Sequence, residues 1–371
     1  MVLEFFVPHY NGGGEHRYHE IAKRLVERGH SVDVLTMRVL DVPDYENIDG
    51  INVHHIGGVV ENPPFRSSFN FLRYFGSVCS WLYSHDYDII DAQAYSPLLS
   101  SVLMSKITKT PLVATIHDTS TNDSDQWLQS SRLASFMEKF LVTLPFDKII
   151  TVSHATMNSL TQNFGVLNNK ISILYKGVDV QKYDAVKVDV VHSNQLIFVG
   201  RLAPHKHVDH VIGSISKIKE LVPTINLIIV GKGEEKENLM KTVDDLSLED
   251  FITFKEDLSD DDLISNIKES EILVLPSTRE GFGMVLAEAN SCFKPVVTYA
   301  SGGTVEVVED GYNGFLIESD NQDDLTEKLI LLLEDKQLQK KLGLNGRRKV
   351  EEEFNWEKIV DSYTEILETL I

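Results

Sequence analysis

The chain of 371 residues is poor in cysteine: Cys79 and Cys292 are its only two, and they lie far apart in sequence. Two lone thiols make neither a disulfide framework nor a metal-binding cysteine pattern, and they suit a reducing compartment. Basic charge is scarce as well. Lys and Arg number 35 against 56 Asp and Glu, a formal net charge of −21. A surface that acidic repels nucleic acid unless its cations cluster, so no nucleic-acid partner is expected. Long apolar runs are missing too, since none reaches the ~18–20 residues of a membrane span. The first residues, Val-Leu-Glu-Phe-Phe-Val-Pro, lack the basic and long apolar regions of a secretory signal. A cytoplasmic location is therefore the expectation.

What is present reads as a globular chain with length for two domains. The charge is uneven. Residues 1–178 carry 14 Lys/Arg against 18 Asp/Glu, and the remainder carries 21 against 38. The first half is nearly neutral and able to approach an anionic surface. The second half is not, except locally.

No repeat of short fixed period appears. Short apolar runs alternate with amphipathic stretches instead. Residues 2–7 read as a strand, and 15–28 as a helix with Tyr18, Ile21, Ala22, Leu25 and Val26 on one face and Gly29 as its stop. Further strands are predicted at 31–36, 51–56, 87–92, 111–117, 148–153 and 170–175, with a helical 69–83 and a polar 119–130 between them. A second series runs through 195–200, 225–231, 251–254, 271–276 and 295–300. Strands that alternate with helices build a parallel sheet flanked by helices. The expected fold class is α/β, with two doubly wound Rossmann-like domains. The polar stretch 178–194 reads as the linker between them. The tail 355–371 reads as a helix with Trp356, Ile359, Val360, Tyr363, Ile366 and Leu367 apolar.

In open α/β sheets, ligands bind beyond the carboxyl ends of the strands, so the loops after strands are where chemistry is sought. Residues 8–15, Pro-His-Tyr-Asn-Gly-Gly-Gly-Glu, join the first strand to the first helix. Gly12, Gly13 and Gly14 let backbone N–H groups approach a phosphate at a helix start, although the run is neither a dinucleotide fingerprint nor a P-loop, and a plain flexible turn reads equally well. Residues 200–206 follow a strand with Arg201 and Lys206. A guanidinium fork and an ammonium there suit a diphosphate; a pair of surface salt-bridge residues is the blander account. His205, His207 and His210 read as a polar loop in preference to a metal site.

Residues 280–288, Glu-Gly-Phe-Gly-Met-Val-Leu-Ala-Glu, follow a strand and open a helix. Eight helical residues at ~1.5 Å each would place Glu288 ~12 Å, or two turns, beyond Glu280. That roughly matches the gap between sugar and ribose in a folded nucleotide sugar. The N–H groups of Gly283, Met284 and Val285 would face the phosphates. Glu288 sits among Leu286, Ala287 and Ala289, and a buried carboxylate needs a partner. His117 ends a strand and can hydrogen-bond a sugar hydroxyl, although a structural histidine is the commoner case. Gly302-Gly303 makes another strand-to-helix turn, and Asn313-Gly314 reads as a turn. Asp86-Tyr87-Asp88 and Asp123-Ser124-Asp125 have the spacing of a metal-binding pair but not the position at a strand end. Asp260-Asp261-Asp262 reads as a helix start. No metal site is expected.

Together these residues resemble the retaining family-4 glycosyltransferases of the GT-B fold, over nearly the whole length. The likeness rests on Gly12-Gly13-Gly14-Glu15, Arg28-Gly29-His30, Thr115-Ile116-His117-Asp118, Gly177-Val178-Asp179, Gly200-Arg201 with Lys206, Gly231-Lys232-Gly233, and Glu280-Gly281-Phe282-Gly283 with Glu288-Ala289. The last run looks like the family's Glu-x₇-Glu motif. Lys176 stands where the family often has Asn, and the sequence reading gives that change little weight.

The resemblance implies an acceptor-side domain of residues 1–178 plus 355–371 and a donor-binding domain of residues 179–354. It implies that Arg201 and Lys206 hold the diphosphate, that Glu288 binds ribose, and that Phe282, Gly283, Met284 and Val285 line the donor. It further implies that Glu280 and His117 contact the sugar and that Gly12, Gly13 and Gly14 close over the phosphates. No cofactor or metal is implied: the nucleotide sugar is a substrate, with UDP favoured over GDP. The implied acceptor is a glycan or lipid-linked saccharide of the cell surface. Residues 62–83, rich in aromatics and carrying Arg66 and Arg73, read as a core helix with a loop. The competing reading is peripheral membrane contact for a lipid-linked acceptor. Two further functions stay open: a sugar-nucleotide epimerase of the same fold, and an inactive nucleotide-sugar-binding subunit.

Overall fold

The computed structural model describes residues 1–10, 12–93, 95–119 and 132–371. Asn11 of the glycine-rich turn, the Asp123-Ser124-Asp125 pair and most of the polar 119–130 stretch lie outside the described residues. The chain divides into two compact units, Met1–Lys176 with Trp356–Ile371, and Gly177–Asn355. Among the described residues no helix is long and apolar enough to cross a membrane.

In the first unit β1 (Asp33–Val39), β2 (Tyr45–Ile48) and β3 (Ile51–Val60) pair in the order β1-β3-β2, and β4 (Ile90–Gln93), β5 (Leu112–Ile116), β6 (Lys148–Thr151) and β7 (Ile171–Ile173) pair in sequence order. The predicted strand at 2–7 shrinks to a bridge at Val2, which pairs in parallel with both Leu35 and Ala92 and so joins the two ladders. The chain turns away after Glu4, whose carbonyl accepts from Met37 N. β2 is a strand that the sequence reading missed. It is four residues long, half exposed and polar, so it has no apolar alternation to read.

The closing helix Trp356–Glu368 belongs to this unit. Trp356, Ile359, Val360 and Tyr363 pack with Tyr18, Ile21, Ala22 and Leu25 of the first helix, Gly13–Glu27. Asp91 on β4, 3% exposed, pins the contact from within. It accepts from Tyr18 Oη at 3.0 Å and Tyr363 Oη at 2.5 Å, with Thr115 Oγ1 at 3.4 Å. A buried carboxylate is tolerated when donors surround it.

The second unit is one six-stranded sheet, all parallel, in the order β10-β9-β8-β11-β12-β13. Its strands are β8 (Gln195–Val199), β9 (Asn226–Val230), β10 (Ile252–Lys255), β11 (Ile272–Leu275), β12 (Val296–Tyr299) and β13 (Gly314–Ile317). Both faces are covered by helices, which is why these strands are near-continuous apolar runs. Gly314, read as a turn, opens β13. A Cβ there would lie 2.3 Å from the Val296 carbonyl oxygen, so glycine is what lets β13 close on β12. The supposed linker is not featureless: it holds a helix at Val180–Ala185, capped by Asp179.

The Asp91 cluster yields a stability test. Tyr363→Phe removes one donor from a buried carboxylate and should lower unfolding free energy by ~1–3 kcal/mol in urea denaturation. An unchanged midpoint and slope would show that the hydrogen bond contributes nothing to docking of the closing helix.

Candidate donor site

Chain order sets the geometry of the second unit. From β8 the chain moves outward through β9 to β10, then returns to place β11 on the other side of β8. The junction of β8 and β11 is the switch point where open α/β sheets bind ligands. The loop after β8 carries Arg201 and Lys206, and the loop after β11 carries Glu280.

These loops are stitched by backbone. Gly200 N and Leu202 N donate to the carbonyls of Val230 and Lys232 at 3.0 and 2.7 Å, Thr278 N to His205 at 2.9 Å, and Gly303 N to Glu280 at 2.8 Å. Four glycines make the approach possible. A Cβ on Gly231 or Gly233 would sit 1.9 or 2.0 Å from the carbonyl oxygens of Gly200 or Leu202, and one on Gly302 or Gly303 would sit 2.1 or 2.3 Å from those of Glu280 or Gly281. The Gly302-Gly303 turn therefore acts on the Glu280 loop as packing.

Lys206 Nζ and Glu280 Oε1 form a close ion pair, each side chain 14% exposed. Arg201 is exposed. His205 registers the local charge: burial first, then Lys206, Arg201 and Arg279, push its ring down to about 4. Three cations thus lie near His205 inside the acidic half of the chain.

Helix Met284–Ser291 starts later than the sequence reading had it. Residues 280–283 are loop, and Gly283 caps the helix at φ 86°. Glu288 is thus in the helix's second turn, and the ~12 Å estimate loses its basis, because it assumed helix from Glu280. Met284 and Val285 remain in the first turn, whose N–H groups lack a partner one turn back. The Phe282 ring is 2% exposed and packs edge-on against Phe354 at 5.2 Å. Its side chain is core, which corrects its placement among donor-lining groups and leaves only its backbone for that role.

Glu288 is half-buried and hydrogen-bonds Tyr183, whose hydroxyl is pushed well above its ordinary range by burial and then by the Glu288 charge. Tyr183 went unnoticed in the sequence because a helix of six residues, Val180–Ala185, shows too little periodicity to separate from a polar linker.

In the first unit, Gly12 caps the helix that Gly13 and Gly14 open. A Cβ on Gly14 would sit 2.4 Å from Gln93 Nε2 and 3.5 Å from His117 Nε2, and one on Gly13 would sit 3.6 Å from Lys176 Nζ. Both His117 ring nitrogens are buried without a hydrogen-bond partner among the described residues. Burial, then Lys176, then Arg17, hold that ring neutral, well below the usual histidine range. The small weight given to Lys176 is therefore corrected. Its ammonium stands at a helix start, where cations are disfavoured and anions favoured.

Of the three histidines near residue 205, the structure brings His207 and His210 together with Asp320. His207 Nε2 already bonds Thr278 Oγ1 at 3.1 Å and His210 Nδ1 bonds Tyr299 Oη at 2.7 Å.

With this geometry in place, the comparisons with known proteins are decisive. The model "Glycosyl transferases group 1" matches residues 179–349, and "Glycosyltransferase Family 4" matches residues 11–182. An uncharacterized glycosyltransferase of Methanocaldococcus jannaschii is 30% identical over 97% of this chain and 95% of its own. The chain belongs to the family-4, group 1 glycosyltransferases. Solved structures place this glycosyltransferase in the GT-B fold. The sucrose-phosphate synthase of Thermosynechococcus elongatus superposes with TM-score 0.86 at 18% identity, over 100% of this chain and 99% of that one. Anabaena HepE, solved in complex with UDP-glucose, superposes with TM-score 0.77 at 22% identity over the whole of both chains.

The burial and local charge around His205 of the glycosyltransferase make a pH prediction. The unfolded chain takes up a proton on His205 near 6.5, and the folded chain only near about 4. The stability this group contributes is full above 6.5 and is lost as pH falls from there toward about 4. In histidine NMR, with His205→Gln for assignment, inorganic pyrophosphate should raise the His205 value by offsetting Lys206 and Arg201. A titration unmoved by pyrophosphate would place the anion elsewhere.

Proposed function

We propose that this enzyme transfers a sugar from a nucleotide sugar, UDP-linked in preference to GDP-linked, with retention at the anomeric carbon. The observation that carries the reading is the meeting of Arg201, Lys206 and Glu280 at the switch point of the second unit, with Glu288 on the helix that follows. Arg201 and Lys206 bind the diphosphate and stabilise it as it leaves, the role that a metal plays elsewhere. First-turn N–H groups of helix Met284–Ser291 add to that hold. Glu288 binds the ribose hydroxyls, positioned by Tyr183. Without donor, Glu280 occupies Lys206. A diphosphate displaces it, and the carboxylate is then free for the sugar. Within the first unit, His117 is neutral and its ring nitrogens have no hydrogen-bond partner among the described residues, and Gly12, Gly13 and Gly14 begin a helix beside Lys176. Retention follows either same-face attack by the acceptor hydroxyl or double displacement.

For the acceptor, we read a glycan or lipid-linked saccharide of the cell surface, met from the cytoplasmic side. Helix Ser68–Ser84 buries Tyr74, Val78 and Leu82, so the core-helix reading describes one face. The other face presents Phe69 at 62% and Leu72 at 64% exposure, with Phe65 at 81% just ahead. Arg73 lies 4.9 Å from the Phe69 ring centre. Aromatics beside a cation suit a lipid interface. Co-sedimentation with anionic vesicles should be lost on combined Phe65→Ser and Phe69→Ser; equal pelleting of both proteins would remove the membrane from the account.

The donor reading is tested by thermal shift with UDP, GDP and ADP and their sugar conjugates, in the presence of EDTA. Bound ligand raises the melting temperature by mass action. One nucleotide family should do so despite the chelator. Glu288→Ala should weaken nucleotide binding about tenfold or more. Glu280→Ala should leave nucleotide binding as strong or stronger, because Lys206 is released, while transfer collapses. If both variants bind and react like the parent, these assignments are wrong.

A further inference from the structure

Away from the switch point, the first unit holds a cluster that the proposed reaction does not use. Glu46 on β2 and His55 on β3 lie on one face of an antiparallel pair: Glu46 stands opposite Val53, and His55 N donates to Asp44 O at 2.8 Å. Diagonal neighbours of this kind reach each other readily. His9 arrives from the loop between the Val2 bridge and helix Gly13–Glu27. Its Nε2 is 2.7 Å from Glu46 Oε1, and His55 Nε2 is 2.9 Å from the same oxygen. The two rings cross at 76°, centres 5.5 Å apart.

We propose that His9, Glu46 and His55 form a binding site for a divalent transition ion of the zinc type. Two imidazole nitrogens and one carboxylate oxygen, all within 4.8 Å of one another, are a ligand set such ions take, leaving a fourth position for water. Zinc bonds of ~2.0–2.2 Å in tetrahedral array set ligand atoms about 3.3 Å apart, so the present spacing opens by roughly half an ångström. Glu46 and His9 are 23% and 24% exposed, which gives them freedom to adjust and gives the ion a path in.

A second observation concerns the inner face of His55, a residue 1% exposed. Its Nδ1 is buried without a hydrogen-bond partner among the described residues. If Glu46 simply accepted a proton from each Nε2, that Nδ1 would be a buried lone pair with no donor. With an ion at Nε2 the proton moves to Nδ1, and Nε2 and Glu46 then both turn lone pairs to the ion. Among the described residues neither His207 nor His210 has a buried, unpartnered ring nitrogen of this kind: His207 Nε2 bonds Thr278 Oγ1 and His210 Nδ1 bonds Tyr299 Oη.

The site is distinct from the donor residues, so its test reads metal binding and not transfer. The full chain, stripped with chelator and exchanged into chelator-free buffer, is titrated with zinc chloride by calorimetry, and cobalt(II) absorption reports the ligand field. One saturating equivalent is expected, with a tetrahedral cobalt spectrum and a zinc-dependent rise in melting temperature. His9→Ala and Glu46→Gln, both at partly exposed positions, should each weaken binding about tenfold or more. His207→Ala should leave it unchanged. Absence of stoichiometric binding overturns the proposal. So does binding that survives both His9→Ala and Glu46→Gln, or that is lost with His207→Ala.

Discussion

Everything at the candidate donor site depends on one step in the chain, the return from β10 to β11 beside β8. A parallel sheet delivers every strand's carboxyl end to the same edge, but neighbouring crossovers normally cover the gaps between those ends. Where the chain reverses its direction of travel, the gap stays open. Here that gap lies between the Arg201–Lys206 loop and the Glu280 loop. Two charges of opposite sign thus meet from 74 residues apart, with no local sequence pairing to bring them together. Short glycine turns then fix how deep the gap is. With any side chain at Gly231, Gly233, Gly302 or Gly303, the strand-end loops would be forced apart.

Under the proposed function, the ion pair so formed is a placeholder. A lysine and a glutamate of equal, low exposure satisfy one another in the absence of substrate, so neither is left as an unpaired half-buried charge. The second unit, strongly negative overall, keeps its cations here by pairing Lys206 and leaving Arg201 exposed. His205 stays neutral beside them, first because burial disfavours its charge and then because Lys206, Arg201 and Arg279 oppose it. The local positive field is thus built from few residues at short range, which is why the net charge of the half conceals it.

Legibility followed the same divide. Long apolar strands and the amphipathic first and last helices were readable, because burial on a fixed face imposes a period on the residues. Strand β2 and the helix Val180–Ala185 were not, since neither is long enough or apolar enough to show one. Residues 2–7 looked like a strand from composition, yet only Val2 bridges, because the chain leaves the sheet before the glycine turn. The ion pair of Lys206 with Glu280 lies in loops after strands, where the sequence directed attention, but the start of the helix that carries Glu288 was misplaced. Helix was assumed from Glu280 onward, where Gly281 and Gly283 instead hold a loop that keeps Glu280 at the switch point.

Lys176 and Tyr183 show what a motif leaves out. Each lies near Gly177-Val178-Asp179, a turn read for its glycine, and each side chain acts at a distance from it. Lys176 reaches the start of the helix Gly13–Glu27 in the first unit, and Tyr183 reaches Glu288 in the second. Tyr183 belongs to the 178–194 stretch that looked like a passive connection, and Lys176 stands just before it; each carries a polar group toward one unit's candidate site. Substituting Lys176 or Tyr183 alters one of these environments without touching any residue of the glutamate motif. The polar composition that made the stretch resemble a linker is the same property that suits it to that position, since side chains that must hydrogen-bond a carboxylate or stand at a helix start have no apolar face to display.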